Sequence, residues 1–149
     1  MVSYKDMGYK LVFVSLDGSD QQGVVLERAI TVAVNNGARL VVGHVVDTSA
    51  LEAAGEPHDG YVEKRTAALK ESVTPVLEEA QAHGGLEEYE VVVELGRVRE
   101  TLKDKMLDAV HPDIVVCGAR GLSNIKYALL GSISTFLVRG SDCDVLVVK

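Results

Sequence analysis

The chain has few cysteines, no basic cluster and no long apolar run, and each absence removes a class of function. Its 149 residues include two cysteines, Cys117 and Cys143. Both sit beside apolar strand-like runs and not in a CxxC pair, which argues against a disulfide framework. Lys plus Arg number 15 against 22 Asp plus Glu, a net charge of −7. Nucleic-acid binding needs Lys and Arg to neutralise phosphate, so an acidic chain without a basic cluster is a poor candidate for it. The first ten residues hold no apolar core of a signal peptide. No apolar run approaches the length of a membrane span, so no membrane partner is expected. His58, His83 and His111 are scattered, with no zinc-like spacing. The expectation is a soluble chain in a reducing, cytoplasmic setting.

What is present is an alternation of apolar strand-like runs and amphipathic helical runs, in a chain that is 47% hydrophobic and 25% charged. That length and balance fit one domain, residues 1–149, with a full core. Leu11 to Leu16 reads as a first strand, Leu40 to Val46 as a second and Tyr89 to Glu94 as a third. The fourth starts at Ile114, and Asp144 to Lys149 is the fifth. A first helix carries Val25, Ala29, Val32 and Ala33 on one face and stops near Asn36-Gly37, with Ser19 and Gln22 as a capping box. Residues 47–60 read as a loop, broken by Gly55, Pro57 and Gly60. The second helix spans about Tyr61 to Ala82. Thr74-Pro75 lies inside it, where a missing backbone donor predicts a kink or a break. A third helix, Arg99 to Val110, points Leu102, Met106 and Leu107 inward. Five apolar strands separated by helices predict an α/β fold, a parallel sheet with helices on both faces in a three-layer sandwich. Ligands of such sheets bind beyond the carboxyl ends of the strands, where the strand order reverses. Asp17 and Gly118 both stand at carboxyl ends, although the pattern itself does not give the order.

Gly118-Ala119-Arg120-Gly121, then nine residues, then Gly131-Ser132-Ile133-Ser134 form the most informative stretch. It follows the apolar run Ile114-Val115-Val116-Cys117. Glycines after a strand allow a tight turn and let a ligand approach the backbone. Gly131-Ser132 opens a helix running to Arg139, and the free N–H groups at a helix start attract phosphate. The hydroxyls of Ser132 and Ser134 add possible donors. The plain alternative is a strand, a glycine turn and a helix cap of any α/β protein.

With these residues in place, the chain resembles the universal stress protein family. The nucleotide-binding branch carries G-x2-G-x9-G-[ST], which Gly118, Gly121, Gly131 and Ser132 match in full. The likeness extends to Asp17 at the end of the first strand, to His44-Val45-Val46-Asp47 and to the terminal Val145-Leu146-Val147-Val148. It implies a sheet ordered 3-2-1-4-5, with Asp17 and Gly118 on adjacent strands at the switch point. The implied ligand is ATP. Asp17 and the backbone at Val45 would flank adenine and ribose, Gly118 and Gly121 would line the path to the phosphates, and Gly131, Ser132 and Ser134 would hold them. A divalent ion such as Mg²⁺ could bridge those phosphates, without a metal-ligand cluster in the chain itself. The resemblance also implies a homodimer through Val145 to Val148, because an apolar edge strand invites pairing.

Two departures stand out. Ala119 replaces a common Ser, removing one hydroxyl. Arg97-Val98-Arg99 follows Gly96 where many nucleotide-binding members have a nearby Pro; the two arginines either reach phosphate or are solvated, and the second is favoured. Asp17 is a ligand contact or a helix cap, and since Ser19 already offers a cap, the ligand role is favoured. His44, in a buried-looking strand, reads as a packed or hydrogen-bonded core histidine, and Cys117 as a small buried hydrophobe.

The resulting expectation is an ATP-binding regulatory module of stress response that acts without catalysis. A dimeric scaffold that binds no nucleotide is one alternative. A slow ATPase is another, but the chain has neither the phosphate-loop sequence G-x4-G-K-[ST], nor the SGGxDS loop of adenylating enzymes, nor a clear general base. A phosphate-accepting receiver domain would need an acidic pair after the first strand and an Asp ending the third; the chain offers Asp17 alone and Glu94-Leu95-Gly96.

Overall fold

A computed structural model of the chain describes residues 1–55, 57–119 and 130–149. Five strands form one fully parallel sheet: β1 Leu11–Leu16, β2 Arg39–Asp47, β3 Tyr89–Gly96, β4 Ile114–Gly118 and β5 Asp144–Val148. Their order across the sheet is β3-β2-β1-β4-β5. The order therefore reverses beside β1, which pairs with β2 on one side and with β4 on the other.

Alternate side chains of each strand leave the sheet on opposite faces, and both faces are covered. On one, Val12, Val14, Leu40, Val42 and Val116 pack under α1 (Gln22–Asn36) and α3 (Asp59–His83), through Leu26, Ala29 and Ala33 of the first and Leu69, Val73 and Leu77 of the second. On the other, Phe13, Val41, Val115 and Cys117 meet Leu102 and Met106 of α4 (residues 98–110) and Leu137 of α5 (Ser132–Gly140). This gives three layers with two hydrophobic cores, and explains why the strands read as near-continuous Val, Ile and Leu runs.

Helix α4 covers residues 98–110, and its middle, Leu102–Leu107, widens into π geometry between α-helical ends Val98–Thr101 and Asp108–Val110. Leu102 and Met106 point into the core as expected, whereas Leu107 is half-buried.

Three local expectations are corrected. Residues 47–60 are not all loop: α2 (Ser49–Ala54) occupies part of them and closes at Gly55, whose φ is 68°. The N–H of Ser49 donates to Asp47 Oδ1 at 2.9 Å, and the Thr48 hydroxyl donates to Glu52 at 3.1 Å. The spacing Ser49-x-x-Glu52 was the available signal. Second, α3 does not break at Pro75 but runs unbroken from Asp59 to His83. Pro75 lies on the exposed side, where a carbonyl deprived of its donor can turn to water, while Leu69, Val73 and Leu77 anchor the helix on both sides of it. Third, Ser19 contributes no capping bond to α1; Gln22 reaches back to the N–H of Gly18 at 3.1 Å instead.

Candidate functional site

At the carboxyl ends of β1, β2 and β4, where the strand order reverses, lies a cavity of about 460 Å³. Of the residues singled out from sequence, Asp17, Val45, Gly118, Gly131, Ser132 and Ser134 all line it. Gly121 and Arg120 lie outside the described residues. The ends of three neighbouring strands and residues 131–134 thus meet around one space.

The β1 end is shaped by a short polar turn. Asp17 Oδ1 accepts the N–H of Ser19 at 2.9 Å, an Asx-type turn. Gly18 follows at φ 78°, a left-handed conformation in which a β-carbon is strained. Asp17 is half-buried and lines the cavity. Asp17 does not cap α1, whose N-cap is Gln21 with no side-chain bond; one oxygen holds the turn and the other has no hydrogen-bond partner among the described residues.

The opposite wall is the start of α5. Its N-cap, Gly131, adopts φ −72° and ψ 173°, extended backbone open to any residue. Its N–H donates to the carbonyl of Ala119 at 2.6 Å, and Ala119 N–H donates to Val148 at 2.8 Å. These bonds clamp the start of α5 to the ends of β4 and β5. They also engage the Gly131 N–H, so the helix-start donors left facing the cavity are those of Ser132 and its two successors. Ser134 lines the cavity, yet its buried hydroxyl donates to the carbonyls of Gly131 (3.0 Å) and Ala119 (3.2 Å). It braces the turn, and its proton is not available to an anion. Ser132 is exposed, with no such tie among the described residues.

Sequence reasoning did not place three side chains at the cavity, His44, Tyr61 and Arg65. His44 is 6% exposed but borders the cavity as well as the core. Its Nδ1 lies 2.7 Å from the carbonyl oxygen of Leu16, to which it donates. Burial lowers its pKa from 6.5, the Leu16 carbonyl opposes that, the Arg65 charge adds to it and Asp17 pulls back. The ring is therefore neutral at physiological pH. Arg65 and Tyr61, four residues apart on α3, form the outer wall, with the guanidinium 5.9 Å from the ring centre. That i, i+4 spacing beside a loop was the only sequence signal for them. Cys117 also borders the cavity; burial, aided by Asp17, pushes its thiol up to about 11, so it is no thiolate at neutral pH.

A second, more open hollow of about 420 Å³ shares Gly131 and Ser132 with the first. Arg99 and Arg139 stand at its edge. Arg97 is exposed and borders neither space. Among the described residues no three His, Cys, Asp or Glu side chains gather into a metal site, and no helix is long and apolar enough to cross a membrane.

The sequence profile of the universal stress protein family matches residues 8–149. The chain belongs to that family. A Staphylococcus saprophyticus protein named for the same family is 29% identical over 141 residues, covering 95% of this chain and 84% of its own length. Among solved structures, the universal stress protein UspA from Lactobacillus plantarum has the same fold, with a TM-score of 0.82 at 21% identity over 95% of this chain and 99% of its own. A universal stress protein solved in complex with cAMP superposes with a TM-score of 0.66 at 26% identity, covering 95% of this chain and 97% of the other. Membership in the universal stress protein family accounts for the strand order and for the location of the cavity, since open parallel sheets offer their crevice at the switch point.

Proposed function

We propose that the switch-point cavity binds an adenine nucleotide, ATP in the first instance, and that this universal stress protein works as a ligand-dependent regulatory module. The observation that carries the reading is the convergence of Asp17, Val45, Gly118, Gly131 and Ser132 on one cavity of about 460 Å³. That volume suits a small-molecule ligand. In this reading the free oxygen of Asp17 and the backbone of Val45 hold the nucleoside. Gly118 keeps the floor open, and Ser132 with the N–H groups of the first turn of α5 receives phosphate. Gly121 belongs to the same path by resemblance. The Ser134 hydroxyl supports the turn and does not contact phosphate. Mg²⁺ would bind through the phosphates. The family relative solved with cAMP supports an adenine ligand for this fold.

The regulatory reading rests on the state of the cavity's titratable groups. Cys117 is protonated, and Asp17 already serves a turn. Neither stands out as a general base; the neutral ring of His44 borders the same cavity, and phosphate release decides whether hydrolysis accompanies binding. β5 is an edge strand with Val145, Leu146 and Val147 only half-buried. An uncovered apolar edge is a pairing surface, and the proposed partner is a second copy of this chain, in the cytoplasm.

Isothermal titration of nucleotide-stripped protein with ATP and Mg²⁺, with AMP and cAMP run alongside, tests the assignment. Micromolar ATP binding supports it; silence toward all three transfers the chain to the scaffold reading. Phosphate release in the same samples separates a binding module from an ATPase. Sedimentation at micromolar concentration tests the dimer, which a monomer would overturn.

A further inference from the structure

His44 is the buried polar side chain of the cavity whose function the fold does not exhaust. One ring nitrogen is fixed: Nδ1 donates to the carbonyl of Leu16 at 2.7 Å. A neutral imidazole carries a single proton, so Nε2 is then a bare acceptor. Among the described residues Nε2 has no hydrogen-bond partner, although the residue is 94% enclosed. Ser141 Oγ is the one side-chain polar atom among the described residues that is both sealed from solvent and unpartnered. Nε2 is therefore not sealed, and the space His44 borders is the cavity.

The surroundings fix what can approach it. Asp17 faces His44 from the end of β1, Arg65 and Tyr61 from α3, Cys117 from β4, and Asp47 ends its own strand. A β-carbon placed on Gly18 would lie 3.9 Å from both His44 Cε1 and an Arg65 terminal nitrogen, so ring and guanidinium converge on the same turn. Arg65 can only donate hydrogen bonds and ionised Asp17 can only accept them. This corner therefore offers two acceptors, Asp17 and His44 Nε2, beside one cation.

We propose that His44 is a specificity-determining residue of the cavity, its Nε2 accepting a hydrogen bond from a donor on the nucleoside, either the adenine amino group or a ribose hydroxyl. The inference rests on the nucleotide reading above. A ligand presenting a carbonyl or no donor at this point leaves a buried acceptor unpaired, which is how enclosed polar sites reject near-isosteres. Protonation of Nε2 would turn the acceptor into a donor and remove the preference.

The test uses the whole protein. ATP, inosine triphosphate and the 2′-deoxy and 3′-deoxy forms of ATP are titrated into wild type and into His44→Phe. In wild type, ATP should bind about tenfold more tightly than the analogue that lacks the recognised donor. Inosine triphosphate losing affinity assigns the amino group; a deoxy analogue losing it assigns that hydroxyl. His44→Phe should weaken ATP by a similar factor and abolish the discrimination. Because the variant also loses the bond to Leu16, a second readout uses wild type alone: the imidazole ¹⁵N signal of His44 Nε2 should shift when ATP is added. If wild type binds no ATP, the nucleotide reading itself fails. If it binds ATP while the Nε2 signal stays in place, or if His44→Phe retains full affinity and discrimination, the assignment to His44 is overturned and the nucleotide reading stands.

Discussion

The ring of Phe13 on β1 occupies the space above Gly43 on β2. A β-carbon built on Gly43 would stand 2.7 Å from Phe13 Cε2 and 3.2 Å from Met106 Sδ of α4. Phe13 is fully buried, and Met106 is nearly so. The two strands are hydrogen-bonded neighbours, so neither can move aside alone. Gly43→Ala should therefore destabilise the fold by about 1–3 kcal/mol through overpacking, lowering Tm by several degrees in a thermal melt. A Tm equal to that of wild type would mean that the core beneath α4 has slack.

Asp113, just ahead of β4, accepts the backbone N–H groups of Lys10 and Leu11 through one oxygen, at 2.8 and 2.9 Å, and its own N–H donates to the Leu11 carbonyl at 2.9 Å. The carboxylate thus pins the start of β1 to β4, with β2 and β3 between them in sequence. Asp113→Ala removes the acceptor from two donors, and charge-assisted bonds of this kind are worth about 1.5–3 kcal/mol each before water replaces them. The site is exposed, so the expected loss is near about 1–2 kcal/mol, read from the urea midpoint. Asp113→Asn keeps an acceptor and should recover part of it.

Most of this architecture was legible because it depends on patterns the sequence displays directly. β1 begins and ends where the apolar run does, at Leu11 and Leu16. The clustering of glycines and Ser132 after β4 marked the cavity wall. What escaped notice depends on the third dimension. His44 alternates correctly for a core residue, and nothing in a strand pattern reveals that the sheet face opens at the strand's end. Arg65 reaches the site only because α3 packs across β2 and β3. Ser134 offers a hydroxyl in sequence, but only the fold brings two carbonyls within its reach. Pro75 signalled a broken helix by local rules, and core contacts on either side overrode them.

The buried state of His44 has a pH signature. Its folded pKa is lowered below 6.5, chiefly by burial. The unfolded chain therefore takes up the proton first as pH falls. Stability attributable to His44 is unchanged above pH 6.5 and declines as pH drops from there toward the folded value, because the unfolded state binds more protons in that window. Urea denaturation of wild type and His44→Gln between neutral and mildly acidic pH should give a steeper acid-side loss for wild type. Parallel curves would show that His44 titrates alike in both states.

The two hollows share an edge at the start of α5. Gly131 lines both, and its extended backbone, φ −72° and ψ 173°, is one a β-branched residue adopts readily. Gly131→Val also keeps the N–H that donates to Ala119, so the clamp between α5 and β4 survives. The added isopropyl group stands beside Ser132, where the phosphates are proposed to meet the first turn of α5. ATP affinity should drop by at least about tenfold, the effect of losing about 1.4 kcal/mol, while the Tm and circular dichroism stay near wild type. Adenosine, which lacks phosphate, should lose much less. A variant that melts normally and binds ATP as tightly as wild type would move the phosphate subsite away from the α5 start. An equal loss for ATP and adenosine would instead mean that the side chain blocks the whole cavity, not the phosphate end of it.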